Sequence, residues 1–160
     1  MKRVMLALVL VTACGADEAG NRQDAAKPTV DTSRLAGLYE GKAGVQVNQI
    51  CMVGKESDRA SFGIVTWGDN LSSCSGSGSA VRQGTSLRLE MKGDQPCAIE
   101  ARIEGGRISL PDKVPQSCAY YCGGGAQLAG VLDKKGDGEK EALKALDLVG
   151  EPLCAGVPAP

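Results

Sequence analysis

The chain has 160 residues, of which 18 are basic and 19 acidic, with no histidine and five aromatic side chains. A balance this near neutral gives no basis for a nucleic-acid partner or for an electrostatic grip on an anionic membrane. The missing histidine removes Ser-His-Asp and Cys-His catalysis and the usual catalytic zinc sites, and no motif calls for a metal or an organic cofactor.

Lys2 and Arg3 precede an apolar run from Val4 to Val11. This is the charged-then-apolar order of an export signal, and it is far short of the about 20 apolar residues that span a bilayer. The run closes on Val11-Thr12-Ala13-Cys14, which resembles the bacterial lipobox: a branched apolar residue, two small residues and a cysteine. The resemblance implies a signal peptide over 1–13, cleavage before Cys14, and lipid on that cysteine. Acyl chains contribute about 0.8 kcal/mol per buried CH₂, so two or three of them anchor a protein stably. Gly15 and Ala16 follow with no Asp directly after the cysteine, which for such lipoproteins favours the periplasmic face of the outer membrane. An ordinary secretory signal with Cys14 as a chance residue is the plainer reading. Cleavage leaves 147 residues, 16 basic and 19 acidic. From Cys14 to Arg34 the only large apolar residue is Val30, too little to bury, so 14–34 reads as the lipidated cysteine and a flexible tether.

Short strands separated by Gly, Asp, Asn and Pro follow, as in an antiparallel meander or barrel. Leu35 to Tyr39, Val45 to Val53 and Ser61 to Trp67 read as strands, Gly68-Asp69-Asn70 as a turn, and another strand starts near Leu71. Leu87 to Lys92 and Cys97 to Glu104 alternate apolar and polar residues around a turn at Gly93 to Pro96. This aligns Leu87, Leu89 and Met91 with Cys97, Ile99, Ala101 and Ile103 on a buried face. Setting Arg88 opposite Glu100 is favourable, whereas a slip by one pair opposes Glu90 to Glu100 and Arg88 to Arg102. Gly105-Gly106 turns the chain into Arg107 to Leu110, and Gln127 to Asp133 is a further strand, for a total of seven or eight. Glu139 to Val149 reads as the one helix, with Ala142, Leu143, Leu146 and Val149 as its apolar stripe and Gly150 and Pro152 as its stop. The predicted fold is mostly β, a seven- or eight-stranded barrel or meander with one C-terminal helix. Calycin barrels resemble it in architecture only. One domain covers 35–154, and 155–160 is a disordered tail.

Cys51, Cys74, Cys97, Cys118, Cys122 and Cys154 remain beyond Cys14. An even count in an exported chain predicts three disulfides, with 15 connectivities open. Cys154 is placed to staple the helix onto the sheet. Cys118 to Cys122 has three intervening residues where a redox pair has two, so both are read as structural.

Other chemistry-like patterns fail on spacing. Ser72, Ser73, Ser75, Ser77 and Ser79 form no G-x-S-x-G elbow and have no lysine in S-x-x-K register, so they read as a strand or loop of small residues that permits close backbone approach. Gly123-Gly124-Gly125 lacks the Lys-Ser pair of a phosphate loop. Asp133, Lys135, Asp137 and Gly138 echo a calcium loop, but Lys135 replaces an acidic ligand and Lys144 stands where the bidentate Glu belongs. No carboxylate pair is marked out by an apolar setting.

Leu35-Ala36-Gly37-Leu38-Tyr39, Cys51-Met52-Val53, Trp67 and Cys74 resemble the opening half of the small periplasmic metalloprotease inhibitors, which are eight-stranded barrels with one disulfide. The resemblance covers about 40 of 160 residues. Four further cysteines, the tract from Cys118 to Gly125 and the C-terminal helix depart from it. In that family a free N-terminus plugs the protease cleft, which a lipidated N-terminus would not do. The stretch from Cys118 to Cys154 is similar to uncharacterised Gram-negative lipoproteins. The expectation is therefore a non-enzymatic, membrane-anchored periplasmic domain that binds a ligand or a partner, with Trp67, Tyr120 and Tyr121 as contact residues. Inhibition of an envelope protease or lysozyme, or a structural envelope role, is the alternative.

Overall fold

The structure, a computed structural model, describes residues 34–157. The signal segment, Cys14 and all of the tether except Arg34 lie outside the described residues, as do residues 158–160.

Eight strands form one closed antiparallel barrel in sequence order: β1 (Gly37–Ala43), β2 (Gln46–Val53), β3 (Arg59–Trp67), β4 (Ser73–Gln83), β5 (Ser86–Met91), β6 (Cys97–Glu104), β7 (Arg107–Leu110) and β8 (Gly130–Asp137). Closure comes from β1 pairing with β8, with a register shift between Leu38 and Tyr39. A closed barrel leaves no free edge along its length and needs no partner to complete its ladders.

The β5–β6 hairpin takes the register its charges favour, Arg88 opposite Glu100 and Met91 opposite Cys97. Arg88 hydrogen-bonds Glu100, and reaches Glu90 at 3.2 Å. Gly105 and Gly106, at φ 56° and 76°, form the two-residue turn into β7 that only left-handed residues close without strain. Ile50, Met52, Phe62, Ile64, Leu87, Leu89, Ile99, Ile103 and Ile108 fill the lumen, each essentially inaccessible to solvent. The Tyr39 hydroxyl closes one end by donating to the Leu35 carbonyl at 2.9 Å.

Two strands are displaced from their expected places. Leu71 lies in a tight left-handed turn closed by the Ser72 amide donating to the Asp69 carbonyl at 3.1 Å, so β4 begins at Ser73. β8 begins at Gly130, not Gln127, because the Gln127 carbonyl is taken by the Thr66 hydroxyl at 2.9 Å.

The C-terminal helix is the larger correction. α1 spans only Glu139–Ala142. After one turn the amides tighten to i−3 carbonyls at Lys144 and Ala145, and the Leu146 amide leaves for the Gln49 Oε1 at 3.0 Å. The Asp147 carboxylate then accepts from the amides of Val149 and Glu151, both at 2.9 Å, holding a reverse turn. Ala142 and Ala145 are the buried contacts, while Leu143, Leu146 and Val149 of the expected stripe are exposed. Packing runs on past Cys154, where a tail is expected, to Val157, which joins Leu38, Cys51, Val53 and Cys154 in a second cluster on the outside of β1 and β2. Asp147→Ala should release two amides to water and lower stability by about 1 kcal/mol. The check is chemical denaturation, and an unchanged midpoint would show the turn to be held by its backbone bonds, such as Asp147 N to Glu151 O at 2.7 Å, and by Cys51–Cys154.

The disulfides are Cys51–Cys154, Cys74–Cys122 and Cys97–Cys118. The first ties the C-terminal lobe to β2. The other two pin the β7–β8 connection, residues 111–129, across the barrel end that carries Trp67.

Candidate functional site

Because the lumen is filled with side chains, ligands are left the surface. The two ends of the barrel differ. At the Leu35 end the connections around 54–58, 84–85 and 105–106 are short. The Trp67 end carries the β1–β2 turn, the loop 68–72, the turn 92–96 and the connection 111–129, so loop mass and the expected contact aromatics gather there.

Trp67 ends β3, and its amide donates to the buried Asn48 Oδ1 at 2.8 Å. The loop after it is clamped: Gly68 N to Ser72 O at 2.9 Å, and the Ser72 hydroxyl to Asp69 O at 2.7 Å. A Cβ on Gly68 would lie 3.1 Å from Ala126 Cα, so the loop is seated directly on the disulfide-pinned connection. Asn70 and Leu71 both adopt left-handed backbone, φ 55° and 59°. That conformation is unusual for leucine and persists only where the surroundings impose it. Its result is that Leu71 points outward, 65 % exposed, next to Val45 in the β1–β2 turn at 94 %. Between them a hollow of about 400 Å³ is lined by Gly44, Val45, Gln46, Trp67, Asn70 and Leu71 among others.

The tyrosines divide. Tyr121 packs its ring beside Gly76 and Gly93 and donates to the Gln95 carbonyl at 2.7 Å, so it braces the 92–96 turn. Tyr120 is 59 % exposed and stands edge-on to Tyr121, centroids 5.2 Å apart. The structure thus brings Trp67, Tyr120 and Tyr121 to one end. Trp67, half-buried, lines the hollow; Tyr120 is on display; Tyr121 is packed. Val45 and Leu71 are rim residues that sequence reasoning passes over, since an apolar residue beside glycine or asparagine reads as the start of a strand.

A second depression, about 1100 Å³ and open, lies on the outer face. Ser75, Ser77 and Ser79 of β4 form its floor, with Glu90 and Lys92 on one wall and Leu153 to Val157 on the other. The serine cluster is therefore largely a strand of small residues, β4, in which Ser79 is paired across the ladder with Glu90. Cys118 and Cys122 are each spent in a separate disulfide. Asp133 hydrogen-bonds Arg107 at 2.6 Å, and that bond holds its carboxyl below the ordinary range. The pair favours folding above the ordinary carboxyl pKa, and the contribution is lost as pH falls through the lowered value. Arg88 is shifted up by its bonds to Glu100 and Glu90. Both are exposed surface pairs. Among the described residues no group of three or more Cys, Asp or Glu side chains converges as a metal site would require. Comparison with protein-family models, curated proteins and solved structures finds no match to this chain.

Proposed function

We propose that this chain is an exported lipoprotein, anchored through Cys14 on the periplasmic face of the outer membrane, whose barrel is a non-enzymatic module that binds a partner protein at the Trp67 end. The observation that carries the reading is the pair Val45 and Leu71, at 94 % and 65 % exposure, lining the Trp67 hollow, with Tyr120 at 59 % exposure on another loop of the same barrel end. Scattered exposed apolar residues are ordinary, but a group on loops clamped to a rigid scaffold is the arrangement recognition uses. The filled lumen weighs against a small ligand held inside.

The test is a photo-crosslinking residue in place of Leu71 in living cells, with Lys140 in α1 as the control position. A discrete adduct from position 71 and none from 140 is expected, and Val45→Asp should abolish it; equal labelling from both positions would end the proposal. Cys14→Ala should move the chain from the membrane fraction to the soluble one, and mass spectrometry of an unmodified Cys14 would remove the anchor.

The second reading is an inhibitor of an envelope protease or lysozyme. It draws on the 68–72 loop, where a clamped backbone with two left-handed residues presents Leu71 outward. Such an inhibitor would act at micromolar concentration and lose activity with Leu71→Asp. A soluble domain inert against both enzyme classes rejects it.

A further inference from the structure

Of the half-cystines in the three disulfides, Cys51, Cys74 and Cys118 have no solvent exposure, and Cys97 and Cys154 have 3 % each. Cys122 is the exception. It is part-exposed, and with Pro111, Val114, Pro115 and Leu128 it lines a hollow of about 330 Å³ in the 111–129 connection. Disulfide exchange needs a thiolate to reach one of the two sulfurs. On the folded chain that leaves Cys122 Sγ as the point of attack, with the buried Cys74 as the leaving group. The bond sits where the connection is fastened to β4. Cys74 and Cys122 face each other in an isolated antiparallel bridge, and Gly123 N donates to Ser73 O at 2.8 Å. The 68–72 loop rests on the residues just beyond: a Cβ on Gly124 would lie 2.9 Å from Ser72 Cβ, as one on Gly68 would lie 3.1 Å from Ala126 Cα. Gly123, Gly124 and Gly125 are exposed and have no side chain to bury, so little besides the disulfide secures this tract.

We propose that Cys122 Sγ is a thiol-exchange site, reached by a low-molecular-weight thiol through that hollow, and that opening the bond unseats the 68–72 loop. The attacking thiolate bonds to Cys122 Sγ as the Cys74–Cys122 bond breaks. Cys74 leaves with the electron pair and, being buried, ends as a neutral thiol by taking up the proton that the attacking thiol gave to solvent. A monothiol stops there, as a mixed disulfide on Cys122. A dithiol goes on: its second sulfur closes a ring on the first, Cys122 leaves as a thiolate, and two electrons have passed to the protein. Cys97–Cys118 still anchors the connection on one side of the opened bond, and the Thr66 hydroxyl still holds the Gln127 carbonyl on the other. What comes loose is the tract between them, under the loop that presents Leu71. As a control on the Trp67 end this rests on the docking proposed above; the exchange and the loop response do not.

The experiment exposes the full purified chain, in native buffer and for short times, to glutathione or to limiting dithiothreitol, then quenches with iodoacetamide and maps every cysteine by mass spectrometry. Trp67 is the chain's single tryptophan, so its emission reports on the adjoining loop in the same samples. Glutathione should give an adduct on Cys122 and an alkylated Cys74. Dithiothreitol should free Cys74 and Cys122 at least about tenfold faster than the other four, whose sulfurs become reachable only when the fold opens. Trp67 emission should move to the red in step with that alkylation, while Cys51–Cys154 and Cys97–Cys118 stay intact. An adduct on Cys74, or all six cysteines alkylated together or not at all, overturns the exchange site. Unchanged Trp67 emission in chain alkylated only at Cys74 and Cys122 overturns the coupling to the loop. Failure of the docking reading shows separately, as the absence of a position-71 adduct in untreated cells.

Discussion

Reduction of all three disulfides is expected to unfold the domain at 25 °C. The loop-entropy model assigns about 4.7, 4.1 and 3.3 kcal/mol to closures of 103, 48 and 21 residues, those of Cys51–Cys154, Cys74–Cys122 and Cys97–Cys118. The last closure is nested inside the second, so the terms overlap. Even discounted, they are comparable to the whole stability of a small domain, about 5–15 kcal/mol. The core has little to set against that loss. Its aromatic content is Tyr39 and Phe62, and the connection 111–129 has few large apolar residues to hold it once released. In a strong dithiol reductant the chain should lose amide dispersion in NMR and its cooperative thermal transition. A dispersed spectrum in the reduced state would show the barrel ladders to be sufficient.

The single pairs should rank differently from the model. Cys51–Cys154 closes the longest loop, yet the barrel is complete without the lobe it holds, since β1 pairs with β8 directly. Replacing both cysteines by Ala should open residues 143–157 locally and expose Leu38 and Val53, costing less than the closure entropy of the long loop. Losing Cys74–Cys122 should instead lower the midpoint of the whole domain, because that bond secures the connection on which the 68–72 loop sits. Hydrogen exchange separates the two outcomes: the first confines new exchange to the lobe and the outer face of β1 and β2.

Much of the barrel was legible in the sequence because period-2 alternation and turn residues are local. Leu87 to Glu104 yielded strand boundaries and register together, since a one-pair slip would oppose like charges. The helix was misread for a physical reason. Glu139 to Val149 has helical periodicity, but the side chains that end the helix act from elsewhere: Gln49, on β2, takes the Leu146 amide, and Asp147 folds onto its own following amides. A window over 139–149 contains no sign of Gln49. The candidate site was half legible. Trp67 and Tyr120 stand out by residue type, whereas the exposure of Val45 and Leu71 depends on loop backbone that composition does not encode.

β4 yields the second large effect. Gly76 and Gly78 lie two residues apart on one face of β4, and alanine at each should have opposite consequences. A Cβ on Gly78 would fall 1.8 Å from the Glu90 carbonyl oxygen and 3.0 Å from Met91 Cα, all backbone of the neighbouring strand. Nothing there can rotate away, so β4 and β5 must separate where Lys92 N bonds Ser77 O at 2.7 Å. Gly78→Ala should cost about 3 kcal/mol, the upper end for overpacking, and lower the midpoint by about 10 °C. At Gly76 the added carbon meets the Met91 terminal methyl at 2.5 Å and the Tyr121 ring at 3.2 Å. A methionine end swings aside easily, and alanine recovers about 0.4–1 kcal/mol by restricting the unfolded chain. Gly76→Ala should therefore leave stability nearly unchanged. Equal losses at the two positions would mean that the serine-glycine strand needs glycine for its backbone freedom, and not because β5 lies so close.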